Sequence, residues 1–407
     1  MVGGIQLNVG FSPSNMVSIQ LGSAALICFI VVLKHGQISA KDVDTHQNRT
    51  GKFLSLFSLI QFPNDACPGS DGRNGSCFTQ GECDQRGGNA GGSCASGFGV
   101  CCVFIKMCGQ TVNTECSYLV QTRLTPVPSD CSYTICKSNP NICRIRLDFQ
   151  SFDIAGPTSD MIADATGLTS IGDCLSDSFS FTAPGGLGSP IICGFNTGQH
   201  MILDASDSCN VASFNIDPVG TTAREWDIKV TQFDCADEAG GPPGCLQYYS
   251  NPTGIVRSFG FRPSVPLTGD ETHLSQQCYS MCFRQMAGMC NLCFTVETTT
   301  ALMPNSFGLS SQVGVTDMMS LTDSECSTDY LLIPRANSPS SPAIADRVCG
   351  TAFNTEDLTA PSEKVCTALQ PYIVTFKTDE GETDDERMAA PTTGSVGFSL
   401  KYVYEQC

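Results

Sequence analysis

The chain has 407 residues, 25 of them Cys, and a formal net charge of −18. Such an acid excess argues against nucleic acid and anionic membrane surfaces as partners. Charged residues make up only 15% while Gly and Pro are plentiful, which favours short strands and many turns over long helices.

In chain order, the first feature is an apolar run from Leu21 to Leu33 that holds Cys28. It falls short of the roughly 20 residues a membrane helix needs. Its length suits the core of a secretory leader, and Ile38-Ser39-Ala40 places a small residue where a peptidase would cut. No Lys or Arg precedes the run, and Met16 is an alternative start. Residues 1–40 are read as a signal peptide, so the mature chain begins near Lys41 with an even number of cysteines and a charge of −19. Every remaining cysteine is expected to be paired. No second apolar segment reaches membrane length, so the protein is expected to be secreted and not inserted in a membrane. Asn48-Arg49-Thr50 and Asn74-Gly75-Ser76 are glycosylation acceptor sequences.

Residues 41–66 form a polar tail and a lead strand, Phe53 to Phe62. Residues 67–107 are a dense cysteine module containing Cys67, Cys77, Cys83, Cys94, Cys101 and Cys102. Forty Gly-rich residues bury too little apolar surface to fold unaided, so disulfides must supply the stability. The spacing, ending in Gly99-Val100-Cys101-Cys102, resembles the clip domain of arthropod secreted proteins. That resemblance implies the pairs Cys67–Cys101, Cys77–Cys94 and Cys83–Cys102.

From Cys108 the texture becomes alternating strands. Ile145 to Ile154 alternates apolar and polar residues, as does Cys174 to Phe181, and Trp226 to Val230 closes the segment. Strand after strand with turns between them reads as a β-sandwich. Leu147, Phe149 and Phe152, followed by Cys174-x-x-Asp177 and Cys193-Gly194, resemble the CUB domain. The resemblance implies the pairs Cys108–Cys131 and Cys174–Cys193.

After a linker at residues 236–244, residues 245–407 repeat the pattern. Cys326-x-x-Asp329-Tyr330 and Cys349-Gly350 recur in the same order, and Tyr372 to Asp379 and Gly397 to Leu400 supply closing strands. The implied pair is Cys326–Cys349. The fold expected is all-β, a small disulfide knot followed by two CUB-like jelly-roll sandwiches at 108–235 and 245–407. The layout is similar to that of a group of arthropod secreted proteins.

Clip domains often precede serine proteases, but the chain has four His and no Gly-Asp-Ser-Gly, Ala-Ala-His-Cys or His-Glu-x-x-His segment. His200 reads as a surface or packing residue and His273 as part of a polar loop. No enzyme is expected.

Many CUB domains hold Ca²⁺ with three carboxylates from adjacent loops, a donor set that suits a hard cation. By resemblance the second copy keeps Asp329 and Asp379, with Ser310 where a Glu is expected and Glu380 or Glu382 as substitutes. The first copy keeps Asp177, with Ala155 in the Glu position and Asp217 near the third. Ca²⁺ is therefore expected in the second copy, if anywhere. Cys278-x3-Cys282-x7-Cys290-x2-Cys293 has zinc-site spacing, but behind a leader disulfides are favoured, with Cys282–Cys290 and Cys136–Cys143 as hairpin staples. Asp379 to Glu386 holds six acids in eight residues, a solvated loop or a docking patch for a basic partner. The leading functional expectation is a non-enzymatic recognition protein for an extracellular protein or glycan. The alternatives are a structural matrix component and a non-catalytic regulator of a clip-type protease cascade.

Overall fold

The computed structural model describes residues 61–123, 127–159, 170–220, 223–263, 272–298, 306–309, 319–356, 361–380 and 395–407. The segment read as a leader, Asn48, most of the segment expected to be a lead strand, Ser310 and the acidic run beyond Glu380 lie outside these residues. Residues 60–407 form one compact unit.

The knot contains β1 (Ala66–Pro68), β2 (Asn74–Phe78), β3 (Asn89–Cys94) and β4 (Gly99–Lys106), with one short helix, α1 (Gln80–Gln85). Thr79 caps α1 by accepting the Glu82 N–H while Glu82 reaches back to the Thr79 N–H, a reciprocal capping box. Cys67–Cys101, Cys77–Cys94 and Cys83–Cys102 are bonded. Gly75 is required where β2 meets this knot, since a Cβ there would lie 2.4 Å from the Cys102 carbonyl oxygen.

The first sandwich follows with β5 (Thr111–Val112), β6 (Ser117–Gln121), β7 (Asp130–Ile135), β8 (Ile142–Asp153), β9 (Asp177–Thr182), β10 (His200–Asp204), β11 (Asn210–Ile216) and β12 (Glu225–Asp234). One sheet runs β1-β2-β4-β6-β12-β8-β10 and the facing sheet β5-β7-β11-β9. The knot thus extends the first sandwich, because β4 pairs in parallel with β6. Arg73 of the knot reinforces this with an ion pair to Asp227 and a position 5.5 Å over the Tyr118 ring. The alternation read at Ile145 to Ile154 places Leu147, Phe149 and Phe152 inward. They meet Phe179, Phe214 and Trp226, whose rings stack at 3.8 Å for the last two.

The second sandwich comprises β13 (Gln247–Tyr249), β14 (Thr253–Arg257), β15 (Cys278–Phe283), β16 (Met289–Val296), β17 (Phe307–Gly308), β18 (Ser320–Thr322), β19 (Tyr330–Asn337), β20 (Ile344–Gly350), β21 (Val365–Thr367), β22 (Ile373–Lys377) and β23 (Gly397–Gln406). Its principal strand order is β13-β15-β22-β19-β21-β16-β23-β14. Phe376 packs on Phe398 at 5.2 Å and on Tyr279 at 5.6 Å. Phe259 reaches Phe149 of the first copy at 6.5 Å, so both copies share one apolar core.

Two expected bridges are replaced. Cys136 bonds Cys209 and Cys143 bonds Cys235, not each other. Their strands β7 and β8 follow one another in the chain but belong to opposite sheets, and each cysteine pairs with the strand beside it, β11 or β12. Cys282 bonds Cys245 and Cys290 bonds Cys407, because β15 neighbours β13 and β22 whereas β16 neighbours β21 and β23. Cys108–Cys131, Cys174–Cys193, Cys293–Cys366 and Cys326–Cys349 complete eleven bonds among the described residues. The expectation of full pairing fails, since Cys116 and Cys278 are free thiols.

Candidate functional site

In both copies the Asp of the C-x-x-D segment meets an acid from the far end of a neighbouring strand. Asp177 opens β9, and antiparallel pairing sets it opposite Ile216 at the end of β11. Its carboxylate accepts the Asp217 N–H at 3.1 Å and the Ala155 N–H at 2.9 Å. Asp329 immediately precedes β19, and its Oδ1 accepts the Asp379 N–H at 2.9 Å. Asp177 is completely buried and Asp329 is 1% exposed. The pairings Asp177/Asp217 and Asp329/Asp379 are therefore equivalent in the two folds.

In the first copy an arginine reaches this carboxylate. Arg224 donates from Nε to Asp177 Oδ2 at 2.6 Å and from Nη2 to Oδ1 at 2.8 Å. Its remaining N–H groups reach the carbonyls of Asp217 at 3.0 Å and Gly220 at 3.2 Å. A two-pronged guanidinium–carboxylate pair is among the stronger hydrogen-bonded arrangements. The Asp177 hydrogen bond is also the main reason the Arg224 pKa rises above its ordinary value. A fixed organic cation thus sits among the oxygens that a divalent ion would use, and the first copy's donor set does not fit Ca²⁺. Arg224 escaped the sequence reading because it is 47 residues from its partner. The only local signal is a lone Arg just ahead of the closing strand.

The second copy brings together the two carboxyl residues expected there, Asp329 and Asp379, and Gln276 N–H binds the Asp379 carbonyl at 2.5 Å. Glu380 is exposed beside them. Carboxylates are donors of the kind a hard cation takes, but among the described residues no group of three ligand side chains gathers around these two.

Both described histidines are buried. His200 is buried at the junction of the copies, where its Nε2 accepts the Tyr248 N–H at 2.9 Å. Burial, helped by the Arg146 charge, pushes its pKa down to about 3. His273 is 2% exposed rather than in a polar loop, and its Nδ1 is 3.2 Å from the Leu274 carbonyl. Further bonds lock the junction: Ile202 N–H to Leu246 O at 2.6 Å, Gln199 to Ser258 O at 3.1 Å, and Gly260 N–H to Asn196 Oδ1 at 2.8 Å. Cys278, in the segment with zinc-site spacing, is exposed while Cys282, Cys290 and Cys293 are spent in three separate disulfides. Asn74 is exposed at the start of β2. Among the described residues no helix is long and apolar enough to cross a membrane.

Residues 242–405 match the family model of the animal CUB domain. No curated protein matches the chain. Among solved structures, the chain is similar to the CUB1-EGF-CUB2 domains of rat MASP-1, with 13% identity, 74% of this chain and 99% of that chain covered, and a TM-score of 0.23. The CUB1-EGF-CUB2 domain of human MASP-1/3 gives 14% identity, 72% and 100% coverage, and a TM-score of 0.22. The full extracellular region of zebrafish Gpr126/Adgrg6 gives 11% identity, 74% and 34% coverage, and a TM-score of 0.24. The second copy matches the animal CUB model, and the fold is an all-β, disulfide-rich jelly-roll sandwich.

Proposed function

We propose that this is a secreted, non-enzymatic recognition protein that presents two rigidly joined CUB-like sandwiches to an extracellular protein or glycan. The animal CUB match over residues 242–405 carries this reading, because CUB domains mediate protein binding in extracellular proteins and are generally non-catalytic. Eleven disulfides fit an oxidising compartment. The cleaved leader at 1–40 and glycans on Asn48 and Asn74 belong to the same reading. Asp329 and Asp379 would hold Ca²⁺, which would supply a positive centre for an acidic or hydroxyl-rich ligand group. With Ser310 in place of a Glu, the affinity falls in the weak extracellular range, roughly 10⁻⁴–10⁻³ M.

A second reading, the non-catalytic regulator of a protease cascade, is favoured by the knot, whose three bonds follow the clip-type order. A secreted-protein and glycan array probed with the full chain separates the two. Saturable binding to one class supports recognition. Binding to none, together with altered zymogen activation when the protein is added, supports the regulator. Hydrolase turnover lost on replacing His200 or His273 would overturn both.

A further inference from the structure

The outer face of the first sandwich's sheet meets the second copy in a cleft of about 380 Å³, lined by Arg146, Lys229, Tyr248 and Arg284 among others, with the carboxylates of Asp148 and Glu238 also in its wall. That volume lies within the range of small-molecule sites. Three cations gather here on a chain with 22 basic and 40 acidic residues. Their own acids use little of their capacity. Arg146 spends only Nε on Asp148, at 2.8 Å, and Arg284 stands 3.8 Å from an exposed Glu238. Lys229 faces Asp148 across the β8–β12 ladder but makes no ion pair among the described residues. Lys229 Nζ and both Nη groups of Arg146 thus keep donors aimed at a concave surface from two rigid strands.

We propose that this cleft binds an acidic saccharide, its sulfate or carboxylate held by Arg146, Lys229 and Arg284, with the Tyr248 ring and the Thr231 and Ser250 hydroxyls against the sugar. Charge-assisted donors recognise such anions strongly. An acidic peptide is disfavoured, because β8 and β12 are paired on both sides and offer no free backbone edge for strand addition. Neither Asp329 nor Asp379 lines the cleft, so the site operates without Ca²⁺ and does not depend on the reading of those two residues.

The test is calorimetric titration of the full chain in EDTA with four probes: a sulfated disaccharide, an unsulfated uronate disaccharide, neutral chitobiose and an acidic hexapeptide. At least one charged disaccharide is expected to bind, with affinity falling as salt rises, and preference between the two identifies which anion the cleft reads. Lys229→Gln and Arg284→Gln should each weaken binding about tenfold or more while leaving the melting temperature unchanged. Equal binding of chitobiose, tighter binding of the peptide, no binding of any probe, or unchanged affinity in both variants would overturn the proposal.

Discussion

Replacing Arg224 with Ala removes a cation from a carboxylate that has no access to solvent. Asp177 is completely buried and the Arg224 side chain is 9% exposed. Removing one member of a buried ion pair typically costs about 3–5 kcal/mol, because the other charge is left desolvated. Two features place this site toward the lower end. Asp177 keeps two backbone N–H donors, from Ala155 and Asp217, and the carbonyls of Asp217 and Gly220 can turn to water. A loss of about 3 kcal/mol corresponds to roughly 6–12 °C at 2–4 °C per kcal/mol for a domain of this size. Scanning calorimetry of wild type and Arg224→Ala reads it directly. The vacated oxygens should then accept a divalent ion, so several millimolar Ca²⁺ should raise the melting temperature of the variant by more than it raises that of wild type. A melting temperature within 2 °C of wild type, with no greater response to Ca²⁺, would show that Arg224 does not neutralise Asp177 in solution.

Three further outcomes are expected. Asp329→Ala in the full chain should abolish a weak Ca²⁺ titration heat that wild type shows at millimolar concentration, and a heat unchanged by the substitution would place the ion elsewhere. His200 is held neutral with its pKa near 3, so below the ordinary value of 6.5 the unfolded chain takes up a proton that the folded chain refuses; stability is full above pH 6.5, lost as pH falls toward 3, and down by about 2 kcal/mol at pH 5. Urea midpoints against pH should lose this component in His200→Gln, and identical pH profiles would refute it. A maleimide should label the exposed Cys278 of the native chain faster than the half-buried Cys116, because partial burial raises the Cys116 thiol pKa; no label at either position would mean that these two cysteines are bonded in the isolated protein.

The strand pattern was largely legible because the sheet faces alternate. Leu147, Phe149 and Phe152 announce β8, and Phe179 with Phe181 announce β9, since one side of each strand must be apolar. The repeat of Cys174-x-x-Asp177 and Cys326-x-x-Asp329 was legible for the same local reason. What a linear pattern lacks is knowledge of which strand lies beside which. Cys136 and Cys143 are seven positions apart yet sit in opposite sheets, so their partners are 73 and 92 residues away. Arg224 and Asp177 are joined only when β9, β11 and the segment before β12 converge. The junction cleft draws Arg146, Lys229 and Arg284 from three distant strands or strand ends, and no periodicity relates them.

The overlapping bridges of the first sandwich also change what a protease can accomplish. Leu187 is 73% exposed in the connection between β9 and β10 and offers an obvious place to cut. That point lies inside the loops closed by Cys136–Cys209, Cys143–Cys235 and Cys174–Cys193. A single nick there therefore separates nothing: both fragments stay covalently tied on either side of the break, and the nick becomes visible as two pieces only when the protein is reduced.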